Sequence, residues 1–193
     1  MSAACSILQP RPELLIAYLA AAAVGTHLLE AALPGLGPWF KPGLANSFAL
    51  VAFFHLGWKA AVGVTLIRLL VGSIALGTFL SPTFFLSFFG ACGAMLVLGM
   101  VSLLHSGRRP LFSIEPSAAR NNHLGPVGVS VLASLAHISC QVVAAWLFII
   151  GHSGIFLALP WFLLGSWLTG IVNGLLAFLI LERLVRSNLW GKG

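Results

Sequence analysis

Long apolar runs separated by short polar connections make up most of the chain. A helix needs about 20 residues to cross the ~30 Å of bilayer hydrocarbon. Five runs reach this length and a sixth is shorter. The pattern predicts an all-α polytopic membrane protein, a single transmembrane domain of six helices at residues 13–33, 44–57, 60–80, 82–105, 126–151 and 158–181.

The connections between these runs are short. We place them at residues 34–43, 58–59, 81–82, 106–125 and 152–157. The first twelve residues lack the apolar core of a secretory signal, so the first hydrophobic segment is expected to remain in the mature protein.

Composition agrees with this assignment. The chain has 193 residues, 59% hydrophobic and 7% charged, and such values exclude a soluble globular domain. Its basic residues are spread over the membrane flanks, which argues against a nucleic-acid partner. The three cysteines, Cys5, Cys92 and Cys140, have no paired spacing that would indicate a disulfide framework or a metal site.

The distribution of Lys and Arg sets the orientation, because these residues are retained on the cytoplasmic side. With the N-terminus inside, the outer loops hold only Lys41. The cytoplasmic segments then hold Arg11, Lys59, Arg108, Arg109, Arg120, Arg183, Arg186 and Lys192. We therefore expect a multi-pass protein of the plasma (inner) membrane with both termini in the cytoplasm.

Arg68 lies inside an apolar run, and a charge at that depth costs roughly 3 kcal/mol on insertion scales. Helical spacing puts it on a face of small and polar residues in the third span. The fifth and sixth spans carry similar faces. These three stripes comprise Ala61, Thr65, Arg68, Gly72 and Ala75; Ser130, Ser134, His137, Gln141, Ala144 and Phe148; and Phe162, Ser166, Thr169 and Asn173.

Counting 1.5 Å per residue puts Arg68 about 12 Å and His137 about 15 Å from the inner face, with Thr169 near the same level. We expect the three stripes to converge on one interior site. Glu30, at about 25 Å, is predicted to be out of reach, which leaves Arg68 without a buried carboxylate. The alternatives are a snorkelling Arg68 and polar residues that only join helices.

In the first span, Ala17, Ala21 and Gly25 form a small-residue face that another helix can approach closely. The partner is either a helix of this chain or another subunit. Nearby, His27 and Glu30 form either a solvated interfacial pair or a lid over an external pocket.

No sequence motif indicates an enzyme. The chain lacks a phosphate-binding loop, a zinc-protease motif and a nucleophile elbow. Magnesium-dependent diphosphate chemistry needs clustered carboxylates, whereas this chain has no Asp and only four Glu, which are far apart in the sequence. We predict no catalytic residues, no metal and no cofactor, and any ATP-driven work requires other subunits.

Several short motifs together resemble the Gx transporter family, also labelled heptaprenyl diphosphate synthase component I. They are Lys41-Pro-Gly-Leu-Ala-Asn46, Leu66-Ile-Arg68-Leu-Leu-Val-Gly-Ser73, Gly77-Thr-Phe-Leu-Ser-Pro82, Gly128-Val-Ser130, Ala136-His137 and Gln141. The resemblance covers roughly residues 38–181.

That family is similar to the substrate-binding S components of energy-coupling factor transporters. The resemblance implies capture of a small solute from outside, with transport driven by a transmembrane coupling subunit and ATPases. It implies that the coupling subunit docks on Ala17, Ala21 and Gly25. The implied substrate-binding residues are Lys41, Asn46, Arg68, Thr78, His137 and Gln141.

The first functional hypothesis is therefore uptake of an anionic or amphipathic nutrient such as a vitamin, flavin or isoprenoid precursor, with Arg68 meeting its negative group. The second is a non-catalytic membrane accessory subunit of prenyl diphosphate or quinone synthesis, or of flavin- or quinone-linked electron transfer. An intramembrane enzyme is a third hypothesis, but the chain does not supply its catalytic groups.

Overall fold

The computed structural model describes residues 12–32, 43–104 and 125–190, with side chains described up to residue 186. These residues form helices and turns without strands. The helices are α1 Pro12–Ala32, α2 Ala45–Leu56, α3 Trp58–Ala75, α4 Pro82–Leu104, α5 Pro126–Ala145 and α6 Leu159–Trp190. Between α5 and α6 lie a π-helical turn, Trp146–Ile150, and a 3₁₀ turn, Ser153–Leu157.

The predicted helical class is confirmed for the described residues. Five helices, with α5 extended through its π-helical turn, are long and apolar enough to cross a membrane. The sixth, α2, is apolar but has only 12 residues.

The predicted connection at residues 58–59 is wrong. Gly57 alone joins α2 to α3, with φ 95°, a backbone angle that favours glycine. Because the chain turns within this one residue, α3 begins at Trp58. The Trp58 indole then donates a hydrogen bond from Nε1 to the carbonyl of Met95 on α4, at 3.1 Å.

Two predicted helix ends also move. α3 ends at Ala75, five residues early, because the corner before Pro82 is a turn that uses positive φ at Gly77 and Leu80. α6 extends nine residues past Leu181 to Trp190. Its last part carries the ion pair between Arg186 and Glu182, at 2.6 Å.

The short helix α2 lies at the centre of the molecule. It packs against α1, α3 and α6, and most of its residues are buried. Phe53, Val51 and Ala52 have no exposed surface. Since the neighbouring helices cover α2, its length does not have to match the thickness of the bilayer.

Glycines set the close approach of α6 to α5. A Cβ on Gly170 would lie 2.9 Å from Val131 Cα, and one on Gly174 would lie 2.6 Å from Val127 Cα. Backbone contact of this kind is typical of small-xxx-small packing between membrane helices. The two contacts also fix α5 and α6 as antiparallel.

Candidate functional site

Arg68 is buried, with 8% of its surface exposed. It lies on α3 within the predicted stripe, of which Ala61, Thr65, Arg68 and Gly72 are buried. The fifth member, Ala75, is exposed and therefore does not belong to an interior site. Its Nε has no hydrogen-bond partner among the described residues, and neither has the hydroxyl of Thr65 one turn away. A buried polar group without a partner is costly, so these two atoms are available to a ligand or to water.

His137 on α5 lies within electrostatic range of Arg68 on α3. Its imidazole lies directly against α4 at Gly90. A Cβ on Gly90 would lie 2.5 Å from His137 Nε2. Gly90 therefore makes room for the ring, a role that no sequence motif indicated.

The depth count placed Glu30 too far from Arg68. The Glu30 carboxylate interacts electrostatically with the Arg68 guanidinium. The depths were counted from provisional helix ends, whereas the relative position of α1 and α3 is set by His27, whose ring lies against Gly72. Glu30 and Arg68 are thereby separated by only about 10 Å along the helix axes, and both side chains are long enough to shorten that gap.

Glu30 also has a second contact. Its Oε1 accepts a hydrogen bond from the backbone N–H of Leu44, at the start of α2. The carboxylate thus joins the end of α1 to the beginning of α2 while it faces Arg68. Both Glu30 and His27 are half-buried, and their role as an interfacial pair or as a lid stays a prediction.

The remaining predicted binding residues lie at different places. Asn46 is half-buried in the first turn of α2, and Gln141 is half-buried one turn after His137. Thr78 belongs to the turn between α3 and α4, where its hydroxyl donates to the carbonyl of Ser73 at 3.5 Å. Lys41 lies outside the described residues. A ligand role for these four stays a prediction.

Among the other polar residues of the stripes, Asn173 and Thr169 form hydrogen bonds within the fold, whereas Ser130 differs from them. Ser47 Oγ of α2 donates to Asn173 Oδ1 of α6 at 3.1 Å, in a buried bond. The Thr169 hydroxyl donates to the carbonyl of Ser166 in its own helix. Ser130 is buried and its hydroxyl has no partner among the described residues.

The small-residue face of α1 is exposed. Ala17, Ala21 and Gly25 are accessible, and a Cβ on Gly25 would meet nothing within 4 Å. The buried side of α1 is formed by Leu19, Ala20 and Ala23. The two partners considered for this face were a helix of this chain and another subunit. No helix in the described part of the chain covers it.

One apolar groove of about 400 Å³ lies elsewhere, between the π-helical turn and α6. It is lined by Ile150, Ile155, Ala158 and Phe162. The described residues contain no group of three or more His, Cys, Asp or Glu side chains that would hold a metal ion.

A comparison with protein-family models gives a match. The family model described as heptaprenyl diphosphate synthase component I matches residues 19–180. This range includes α2 to α5 completely and most of α1. Neither the curated proteins nor the solved structures contain a significant match.

Proposed function

The chain belongs to the heptaprenyl diphosphate synthase component I family, and we propose that it is a substrate-binding transport protein. It spans the plasma membrane six times with both termini in the cytoplasm. It captures a small anionic or amphipathic nutrient and works with separate coupling and ATPase subunits, as the S components that it resembles do.

The observation that carries this proposal is the buried guanidinium of Arg68. A cation at this position has to be compensated. Glu30 contributes to this compensation through its electrostatic attraction to Arg68, but it is not the only group that can do so. The Nε of Arg68 and the hydroxyl of Thr65, which have no partner among the described residues, provide donors for an anionic group. His137 of α5 lies within electrostatic range of Arg68.

The exposed face of Ala17, Ala21 and Gly25 supports the coupling part of the proposal. In a membrane, small residues allow close helix packing, and this face is not used by any described helix of the chain. A helix of a coupling subunit is the partner that fits an exposed stripe on the first span.

The binding proposal is tested by replacing Arg68 with Gln. We expect the loss of high-affinity ligand binding, at least about a hundredfold, because the ligand then has no cationic partner; this corresponds to about 2.7 kcal/mol. Native mass spectrometry of the purified protein identifies the copurified solute, and titration with that solute measures the affinity.

Arg68→Lys serves as the matched variant, since it keeps the charge but loses the planar fork of donors. A thermal unfolding scan verifies that both variants are folded. Binding by Arg68→Gln equal to that of the wild type would refute the role of Arg68.

The family description favours one other function, a non-catalytic accessory subunit of prenyl diphosphate synthesis. In that case a soluble synthase, and no ATPase, copurifies with the protein. The alternative of a subunit for flavin- or quinone-linked electron transfer has no separate support in the structure.

A further inference from the structure

A row of phenylalanines leads along α4 toward the candidate site. It consists of Phe79, Phe84, Phe85, Phe88, Phe89 and Phe148, and we call it the phenylalanine row. Successive rings are in contact, with centroids 5.2 Å apart for Phe79 and Phe84, 6.4 Å for Phe84 and Phe88, and 5.4 Å for Phe89 and Phe148. Phe85 joins it through Phe84, and Phe88 contacts Phe89.

The outer side of this row is open. Phe85, Phe88 and Phe148 are exposed, and they lie on helices that are long and apolar enough to span a membrane. The row therefore presents a continuous aromatic surface to the hydrocarbon. An apolar chain dissolved in the bilayer can lie along it without crossing water.

The inner end of the row meets the polar site. Phe89 is followed directly by Gly90, against which the imidazole of His137 lies. His137 in turn interacts electrostatically with Arg68. On α4, the residue directly after Phe89 therefore contacts His137 of α5, which lies within electrostatic range of Arg68 on α3.

The positive charge of Arg68 favours a ligand whose head group is anionic. Arg68 is more than nine-tenths buried, and its Nε has no partner among the described residues. An anionic head placed there gains charge-assisted hydrogen bonds in a low-dielectric environment. A neutral lipid would leave these donors unsatisfied.

Resting on the proposed function, we infer that the substrate is an anionic amphiphile that enters sideways from the bilayer. Its carboxylate or phosphate head binds at Arg68 and His137, and its apolar chain lies along the phenylalanine row. Water-soluble anions that lack such a chain are poor ligands.

The test uses the full chain reconstituted in phosphatidylcholine nanodiscs, with radiolabelled dodecyl phosphate as the probe. Dodecanol and inorganic phosphate are the competitors, and dodecanoate compares a carboxylate head with a phosphate head. We expect saturable binding of dodecyl phosphate, with competition by inorganic phosphate at least a hundredfold weaker. Dodecanol should compete equally poorly.

Three variants separate the two halves of the site. Arg68→Gln should abolish binding of the probe. Phe88→Ala should weaken it by about tenfold through lost contact with the chain. The matched control Phe178→Ala removes an exposed ring on α6 and should leave the affinity unchanged. Thermal unfolding verifies that each variant is folded.

The outcomes distinguish the two proposals. Arg68-dependent binding of inorganic phosphate that is as tight as that of dodecyl phosphate, and is insensitive to Phe88→Ala, would overturn the amphiphile but leave a soluble anion as substrate. Binding of the probe that does not depend on Arg68, or no saturable binding at all, would overturn the amphiphile. If the copurified solute also binds without Arg68, the proposed function fails as well.

Discussion

At the scale of single residues, Arg68 draws its surroundings from several helices. Glu30 comes from α1 and His137 from α5. Gly90 of α4 leaves room for the imidazole because it has no side chain. The charge of Arg68 was evident in the sequence as an exception within an apolar run. Gly90 was not, because a glycine in a membrane helix gives no sign of what lies against it.

Adding one methyl group at Gly90 tests this arrangement. In Gly90→Ala the new Cβ lies 2.5 Å from the present position of His137 Nε2, so the imidazole must move. We expect ligand affinity to fall by about tenfold, as measured by titration of the purified protein with its copurified solute.

Gly63→Ala is the control, since a Cβ there meets nothing within 4 Å and affinity should not change. Equal affinity of Gly90→Ala and wild type would show that the position of His137 does not matter for binding.

At the scale of helices, close glycine contacts hold α5 and α6 together. Gly170 and Gly174 are four residues apart on α6 and lie against the backbone of α5. Bulkier residues there would separate the two helices, and with them the buried bond between Ser47 and Asn173 would be strained.

Gly174→Ala should therefore destabilise the protein. Its Cβ would lie 2.6 Å from Val127 Cα, and backbone atoms cannot turn aside as a side chain can. Overpacking of this kind costs roughly 1–3 kcal/mol. Thermal unfolding in detergent should show a lower midpoint, whereas Gly63→Ala should keep or raise it, since alanine favours helix by up to about 1 kcal/mol. An unchanged midpoint for Gly174→Ala would contradict the packing.

The helices themselves were largely predictable, because their apolar runs are long and nearly uninterrupted. The ends were less so. A single glycine, Gly57, replaces the connection expected at residues 58–59, since its backbone freedom is not encoded in hydropathy. The depth count for Glu30 failed for another reason. Side-by-side contacts such as His27 on Gly72 set how helices align, and periodicity within one helix carries no such information.

At the scale of the whole molecule, the described helices surround α2 and leave the small-residue face of α1 uncovered. The helical spacing of small and polar residues does not show whether a stripe faces the interior of the molecule or its outside. Only the packing separates the face of Arg68, which is buried, from that of Ala21, which is accessible.

Ala21→Leu tests the outward face. Because Ala21 is exposed, the larger side chain should leave folding and ligand affinity unchanged. It should prevent a coupling helix from approaching, so that ATP-hydrolysing subunits copurify with wild type but not with the variant, and solute uptake by cells falls by at least about tenfold.

Ala75→Leu, at an exposed position of α3, is the matched control and should behave like wild type. Full uptake by Ala21→Leu would exclude this face as the coupling surface.

The carboxylate of Glu30 carries a last consequence, since it serves two neighbours at once. It caps the start of α2 through Leu44 and it attracts Arg68. An anion that binds Arg68 competes with Glu30 for the same positive charge. By thermodynamic linkage, any such competition is reciprocal: anion binding at Arg68 and the contact that Glu30 makes between α1 and the start of α2 are therefore coupled.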